Sequence, residues 1–131
     1  MAERKWTPQQ LKAIEADGSL TVLSAAAGSG KTTVLVEKAL RILLDETNRT
    51  PADRLLIVTF SNASAKEFKN RIEKGINEAI RKNPENAYIK SQKVLLQKAD
   101  ISTIHSFCIK LTRGNFEALD IPPDFTICDD A

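Results

Sequence analysis

The sequence predicts an α/β fold in which helices cover a parallel sheet on both sides. Three short apolar segments, Leu20–Ala25, Leu55–Phe60 and Ile101–Ile104, are strand candidates, and they alternate with longer segments of helical periodicity. The run Leu55–Phe60 is almost wholly apolar, as in strands that are buried on both faces of a parallel sheet. Alternating strands and helices favour right-handed crossovers, which place helices on both faces of the sheet.

Five helices are predicted around these strands. The first begins at Pro8 with Thr7 as its N-cap and ends at Asp17-Gly18. Apolar spacing predicts the others over Lys31–Leu44, from an N-cap at Ser61 or Asn62 to about Lys82, over Asn86–Lys98, and from about Ser106 to Leu119. The prolines Pro122-Pro123 end the last helix, and Phe125–Cys128 is a candidate final edge strand.

Length and composition limit the class of protein. The 131 residues allow one domain or a piece of a larger one, and 42% apolar with 27% charged residues is typical of a folded chain. The net charge is only +2, yet residues 63–113 hold eleven basic and five acidic side chains. This basic middle favours phosphate-bearing partners. Two solvated helix faces explain the same charges, so both interpretations stay open here.

Cysteine and histidine content argues against a zinc site. Cys108 and Cys128 are not closely spaced, and His105 is the single histidine, so a zinc site is not expected. Two scattered cysteines are typical of reduced thiols. No apolar run follows the N-terminal charges, and no stretch approaches the ~20 apolar residues of a membrane span. We therefore expect a cytoplasmic protein with no membrane association.

The segment Ala25–Thr32 reads AAAGSGKT and lies between a predicted strand and a predicted helix. This is the phosphate-loop pattern, with Ala25 where the first glycine is usual. Glycines permit close backbone approaches, successive N–H groups cradle phosphates, the lysine reaches the β- and γ-phosphates, and the following hydroxyl binds Mg²⁺. A plain turn with an exposed lysine is disfavoured by this context. The predicted nucleotide contacts are Ala26, Ala27, Gly28, Ser29, Gly30, Lys31, Thr32 and Thr33, with Lys31 and Thr32 catalytic and Thr32 holding Mg²⁺ through the nucleotide.

This loop and three other segments resemble motifs of the superfamily 1 helicases of the UvrD/Rep type. Trp6–Gln10 resembles the Q motif, Thr59–Phe68 resembles motif Ia, and Ser102–Cys108 resembles motif Ib. Motif Ia departs from the usual pattern at Ser61, which replaces Thr, and at Phe68, which replaces Met. The resemblance is closest to AddA-type helicase–nuclease subunits, on the strength of Ser24–Ala27, Thr103–Cys108 and Asp120–Phe125; RecB is a near relative.

The resemblance implies a three-layer, RecA-like P-loop fold and a motor that uses ATP and Mg²⁺. The chain would be an N-terminal fragment of motor domain 1A, and its tail from about residue 120 would lead toward an inserted subdomain. It further implies translocation on single-stranded DNA, contact with double-stranded DNA, nuclease activity elsewhere in the parent, and a second, AddB-like subunit. The implied process is double-strand-break repair and recombination.

The resemblance also assigns site residues. Gln10 would read the adenine edge, which its amide can serve as donor and acceptor at once. The predicted DNA contacts follow the second and third strands: Phe60, Ser61 and Asn62 in one loop, and Thr103, His105, Ser106 and Phe107 in the other. Small polar groups at helix starts suit phosphates, and an aromatic ring can stack on a base. For Phe60 and Phe107, burial in the core is the alternative.

Groups needed for hydrolysis are missing from the sequence. An acidic pair that orients water and arginines that stabilise the γ-phosphate are expected in such motors, and none is identified here. Asp129 and Asp130 follow an apolar run, but we do not take them as that pair. We therefore expect the chain alone to bind ATP·Mg²⁺ weakly and to hydrolyse almost none. A small-molecule P-loop kinase and a non-catalytic nucleotide-binding module are the alternatives.

Overall fold

The computed structural model describes residues 5–18, 20–26 and 28–127. In these ranges the helices are α1 (Pro8–Glu15), α2 (Lys31–Leu44), α3 (Asn62–Lys82), α4 (Ala87–Leu95), α5 (Ile104–Gly114) and α6 (Phe116–Leu119), and the strands are β1 (Leu56–Thr59) and β2 (Asp100–Thr103). Short 3-10 turns at Ala52–Arg54 and Leu96–Lys98 lead into the two strands. No helix in the described ranges combines the length and apolar character that crossing a membrane requires.

The two strands form a parallel pair. Leu56 lies opposite Asp100 and Thr59 opposite Thr103, so both strands end at the same edge of the sheet. Helix α3 packs across β1 and β2, and α4 completes the crossover between them. Because α3 and α5 begin directly after the strands, their N-termini lie side by side at this edge.

Side-chain caps fix where the helices start. Thr7 and Gln10 form a capping box at α1, and the side chains of Ser61, Asn86 and Thr103 accept backbone N–H groups at the starts of α3, α4 and α5. Helix α2 differs, because its N-cap is Gly30 in the left-handed conformation and no side chain caps it. Its first N–H groups are therefore left for a partner that is not a capping side chain.

The core lies mainly between α2 and α3. Its fully or nearly buried members are Val36, Ala39 and Leu43 of α2, Phe68, Ile72 and Ile76 of α3, and Ala52 and Leu96 from the 3-10 turns. Ile57 and Ile101 pack against this cluster from the sheet. At Gly75 the helices approach so closely that an added Cβ atom would overlap both Cδ atoms of Leu40. Space rather than backbone conformation favours glycine there, since its φ is not positive.

A buried amide fastens the connection between α2 and β1. Gln92 of α4 is fully buried, and its Oε1 accepts the N–H of Ala52 at 2.9 Å. Its Nε2 donates to the carbonyls of Leu43 at 2.6 Å and Thr50 at 2.8 Å. The same Nε2 lies 2.6 Å from the Tyr88 hydroxyl. One side chain thus provides hydrogen-bond partners for one backbone N–H and two backbone carbonyls between the end of α2 and the start of β1.

The same connection contains a polar turn. The Thr47 hydroxyl and backbone N–H and the Asn48 amide donate to the Asp45 carboxylate, and these hydrogen bonds lower the pKa of Asp45. A lowered folded-state pKa means that the turn adds stability above the ordinary aspartate pKa and loses it as the pH falls.

Two predictions about the first two strands are wrong. Leu20–Ala25 forms no strand, because no strand in the described ranges pairs with it, and Leu20 and Val22 are each 82% exposed. A strand needs such a ladder, which apolar sequence alone does not supply. β1 is also not buried on both faces, since Leu56 is 50% and Val58 47% exposed. The described fold is therefore α/β with a two-stranded parallel sheet, and helices cover one face of it.

The helix predictions mostly hold. The bounds of α2 are confirmed, as is the start of α3 with Ser61 as its cap. The last predicted helix instead starts at Ile104 and breaks at Asn115, whose Nδ2 donates to the Leu111 carbonyl at 2.8 Å. Residues 125–127 form no strand, and Cys128, Asp129 and Asp130 lie outside the described residues.

Replacing the buried amide tests its role in stability. Gln92→Met keeps the side-chain volume but leaves the Ala52 N–H and two carbonyls without their partner. We expect unfolding free energy to fall by about 2–4 kcal/mol, because buried unpaired groups cost about 1–3 kcal/mol each. Urea unfolding of the 131-residue chain followed by circular dichroism measures this. The control is Gln97→Met at an exposed site; equal loss in both variants would contradict the assignment.

The close approach at Gly75 gives a second stability test. Alanine normally stabilises a helix interior by about 1 kcal/mol over glycine. Here Gly75→Ala is expected to destabilise the chain, because the added methyl overlaps the Leu40 side chain. In a Leu40→Ala background the same change should become stabilising. Thermal unfolding of the four variants forms the cycle, and a Gly75→Ala effect of the same sign in both backgrounds would refute the steric explanation.

Candidate functional site: the phosphate loop and the strand-end edge

The loop before α2 has the backbone that its glycines allow. Gly28 has φ +78° and Gly30 has φ +85°, a region in which residues with a Cβ atom are strained. The Ser29 N–H donates to the Ala26 carbonyl at 3.3 Å, which closes a turn just before the helix. Ala27, also predicted to contact the nucleotide, lies outside the described residues. The loop therefore leads directly into the uncapped start of α2.

Lys31 binds the loop itself in this structure. Its Nζ donates to the carbonyls of Ala25 at 2.5 Å and Ala26 at 2.7 Å. These are charge-assisted hydrogen bonds, and they hold the ammonium group at the mouth of the loop. The same group can serve phosphate oxygens only after releasing these carbonyls.

The start of α2 fits a phosphate and its cation. The first intrahelical bond runs from the Val34 N–H to the Gly30 carbonyl at 3.0 Å, so the N–H groups of residues 31–33 have no helical partner. They lie at the positive end of a 14-residue helix. The Thr32 hydroxyl forms no hydrogen bond with any other residue in the described ranges, which leaves it free as a Mg²⁺ ligand.

Thr33 is tied to α3. Its hydroxyl accepts a hydrogen bond from Nη1 of Arg71 at 3.2 Å, and Nη2 of Arg71 lies 2.5 Å from the Glu67 carboxylate. Arg71 lies outside the sequence motifs, so they do not predict this contact. Its i, i+4 spacing from Glu67 is the one feature of the sequence that indicates a partner for Arg71. The first turn of α2 is thereby connected to the middle of α3.

Gln10 lies against the phosphate loop. Its Oε1 accepts the Thr7 N–H at 3.0 Å, and its Nε2 donates to the Ser29 carbonyl at 3.3 Å. A carboxamide has two acceptor and two donor positions, so one of each is left. The side chain is therefore placed beside the loop with one donor and one acceptor available to a ligand.

The strand-end edge, where β1 and β2 give way to α3 and α5, carries the residues predicted to contact DNA. Ser61 Oγ accepts the Ser64 N–H at 3.1 Å and donates to Ser64 Oγ at 2.8 Å. Thr103 is buried, and its Oγ1 accepts the Ser106 N–H at 3.2 Å while donating to Ser106 Oγ at 2.9 Å. Both hydroxyls thus act first as helix caps, and they orient the two helix starts toward the same edge.

Exposure differs among the other edge residues. Phe60 is 102% exposed, so the core alternative for this side chain does not apply. Asn62, His105 and Ser106 are exposed, whereas Phe107 is half-buried. In the described ranges no group of three or more His, Cys, Asp or Glu side chains has a metal-binding arrangement. The edge therefore offers polar groups, two helix N-termini and one free aromatic ring.

An apolar groove continues from this edge. Ile104, His105 and Cys108 of α5 line it together with Phe125 and Ile127, and its volume is about 490 Å³. The Arg113 guanidinium lies 5.6 Å from the centre of the Phe125 ring. The last described residues therefore pack along α5 rather than joining the sheet.

One positioning contact is not predicted from the sequence. Lys38 of α2 donates to the carbonyls of Ile14 at 3.3 Å and Ala16, at the end of α1. Lys38 follows Lys31 by seven residues, which places both on nearly the same side of α2. That spacing is the available signal.

Comparison with known proteins gives the family. Residues 6–131 match the model of the UvrD/REP helicase N-terminal domain. The chain is 47% identical over 130 residues to the A subunit of the ATP-dependent helicase/nuclease of Clostridium novyi and 49% identical over 131 residues to that of Acetivibrio thermocellus; each match covers 99% of this chain. It is 50% identical to that of Listeria monocytogenes over 125 residues, 95% of this chain.

The chain spans about a tenth of the length of these relatives. The family match extends over nearly all of the sequence, through the phosphate loop and both loops at the strand-end edge. The chain therefore belongs to the UvrD/REP helicase family, whose N-terminal-domain model it matches, and resembles a part of helicase/nuclease A subunits.

Proposed function

We propose that this chain is the N-terminal part of the first motor domain of an ATP-dependent DNA helicase/nuclease. It binds ATP·Mg²⁺ at the phosphate loop and contacts single-stranded DNA at the strand-end edge. The observation that carries the proposal is the loop itself: Gly28 and Gly30 with positive φ, followed by Lys31 and Thr32 at an uncapped helix start. Nearly half of the chain's residues are identical to those of proteins named for this activity.

In the proposed nucleotide site, each polar group of the loop and of its neighbours has one role. Loop N–H groups and the start of α2 hold the phosphates, and Lys31 exchanges its two carbonyl partners for the β- and γ-phosphates. Thr32 supplies its unpaired hydroxyl to Mg²⁺, which neutralises charge on the phosphates when bound. The remaining donor and acceptor of Gln10 match the adenine edge.

The DNA site combines phosphate and base contacts. Ser61, Asn62, Thr103, His105 and Ser106 lie at two adjacent helix N-termini, which favour phosphate groups. Phe60 projects fully into solvent and offers a face for base stacking, and Phe107 adds a partly exposed ring. The basic excess of residues 63–113 favours a phosphate-bearing partner in general.

The proposal also explains the open side of the sheet. In a complete three-layer, RecA-like domain, further strands would pair with residues 20–25, and a second helix layer would cover Leu56 and Val58. The longer protein would supply these, together with the acidic pair and arginines for hydrolysis, the inserted subdomain beyond about residue 120, and the nuclease. We extend the proposal to an AddB-like partner protein, a role in double-strand-break repair and recombination, and a cytoplasmic location.

Loss of the loop lysine is the direct test of nucleotide use. In the longer protein that carries this chain, Lys31→Ala should abolish ATP hydrolysis stimulated by single-stranded DNA, reducing the rate at least about 100-fold because phosphate-directed charge stabilisation is lost. A coupled ATPase assay with and without oligonucleotide measures it, and substitution of the exposed Lys90 of α4 with alanine (Lys90→Ala) is the control.

The same assay separates the alternatives. Activity that needs Lys31 but ignores DNA would indicate a small-molecule kinase, and nucleotide binding without hydrolysis would indicate a non-catalytic module. The isolated 131-residue chain should hydrolyse almost no ATP. Steady-state hydrolysis by it above background would contradict the division of the active site proposed here.

An aromatic substitution tests the DNA edge. Phe60→Ala should weaken binding of single-stranded oligonucleotides by about 1–3 kcal/mol, the usual contribution of one stacked base. Because Phe60 is fully exposed, folding stability should not change. Fluorescence anisotropy with labelled DNA measures the affinity, and Val94→Ala on α4, also an exposed apolar residue, is the control. Unchanged affinity would remove Phe60 from the DNA site.

A further inference from the structure

The Lys38 side chain links α2 to the helix that carries Gln10. It is half-buried, and instead of reaching solvent its ammonium group donates to the carbonyls of Ile14 and Ala16. These carbonyls belong to the end of α1, whose last C=O groups have no intrahelical partners. A cation at a helix C-terminus also interacts favourably with the helix dipole.

Helix α1 has few other attachments of comparable quality. With eight residues it is shorter than the roughly 12–15 residues at which isolated helices become marginally stable. Ile14 is its one buried residue. The ion pair between Arg41 and Glu15 spans 3.7 Å with side chains 43% and 59% exposed, and exposed pairs contribute little. Among the described residues, Lys38 therefore makes the main polar contact between the end of α1 and α2.

The opposite end of α1 holds the nucleotide-facing amide. Gln10 is fixed there by the capping box with Thr7 and by its bond to the Ser29 carbonyl. A Cβ atom at Gly30 would lie 3.2 Å from Gln10 Nε2, so the amide and the loop are in close contact. About 9 Å of helix separates Gln10 from the Lys38 contact at a rise of about 1.5 Å per residue.

We propose that Lys38 is a positioning residue for nucleotide selection. Lys38 holds the end of α1 against α2, and the phosphate loop leads directly into α2. Lys38 therefore sets the position of Gln10 relative to the phosphate loop. Lys38 touches no nucleotide, and its effect passes through Gln10. This inference rests on the proposed function, in which Gln10 reads the base.

The test compares kinetic constants in the longer protein that carries this chain. Lys38→Met keeps the stem and removes the donor, and Lys38→Arg keeps a cationic donor. We expect Lys38→Met to raise KM for ATP by about three- to tenfold, the range expected for loss of one or two hydrogen bonds. The preference for ATP over GTP should fall by a similar factor, with kcat within about twofold.

Two comparisons separate positioning from a general loss of stability. Lys38→Arg should retain the ATP preference that Lys38→Met loses. Lys12→Met, which removes a charge from an exposed site on α1, should leave the ATP preference unchanged. Gln10→Ala should lower the preference as much as Lys38→Met, and the double variant no further, because both act through one amide. If Lys38→Met does not fold, Lys38→Gln, too short to span both carbonyls, takes its place.

The outcomes distinguish this inference from the proposed function. DNA-stimulated, Lys31-dependent hydrolysis with an unchanged nucleotide preference in Lys38→Met overturns the role of Lys38 alone. Effects of Gln10→Ala and Lys38→Met that multiply in the double variant overturn it as well. If the unsubstituted protein hydrolyses no ATP, or hydrolyses it at the same rate as Lys31→Ala, both proposals are overturned.

Discussion

The contact between α2 and α3 is the constraint on which the rest of the structure depends. Most of the buried core lies at this interface, and the glycine at position 75 lets the two helices approach to the limit that Leu40 allows. Each helix begins at a loop with a different partner in the proposed function. Helix α2 begins at the phosphate loop, and α3 begins at the strand-end edge. Tight packing of α2 against α3 therefore fixes the phosphate loop and the strand-end edge relative to each other, because close-packed interiors transmit strain and resist compression.

Local chemistry explains which parts of this arrangement the sequence predicts. Caps act over three residues, so Thr7 and Ser61 mark their helix starts correctly, and a glycine pair followed by lysine identifies the loop. The strand predicted at residues 20–25 depends on a neighbour instead. Its apolar residues satisfy the pattern, but backbone hydrogen bonds must come from another strand. An apolar sequence pattern and hydrogen bonding to a neighbouring strand are separate requirements for a strand. Only the first can be recognised in a local segment of sequence.

The site divides in the same way. The loop residues, Gln10 and the residues after both strands can be predicted because their motifs are contiguous. Lys38, Arg71 and Gln92 act across 22 to 49 residues of sequence, and the seven-residue spacing from Lys31 does not by itself distinguish Lys38 from other helix-surface lysines. Long-range contacts to backbone carbonyls are set by tertiary packing, which composition and periodicity do not reveal. The exposed phenylalanine at position 60 shows the converse, since its pattern suits a core position and its place at the strand end exposes it.

Three side-chain contacts converge on the start of α2, and together they define which contacts the proposed nucleotide binding would have to change. Gln10 donates to the Ser29 carbonyl, Lys31 donates to the carbonyls of the first two loop residues, and Arg71 donates to the Thr33 hydroxyl. A phosphate that recruits Lys31 breaks the second contact only. The first and third can persist, because Gln10 keeps a spare donor and acceptor and the Thr33 N–H has no helical partner while its hydroxyl is engaged. In the proposed function, nucleotide binding at this loop is therefore an exchange of partners by one lysine, while α1 and α3 keep their own contacts with the loop and with the start of α2.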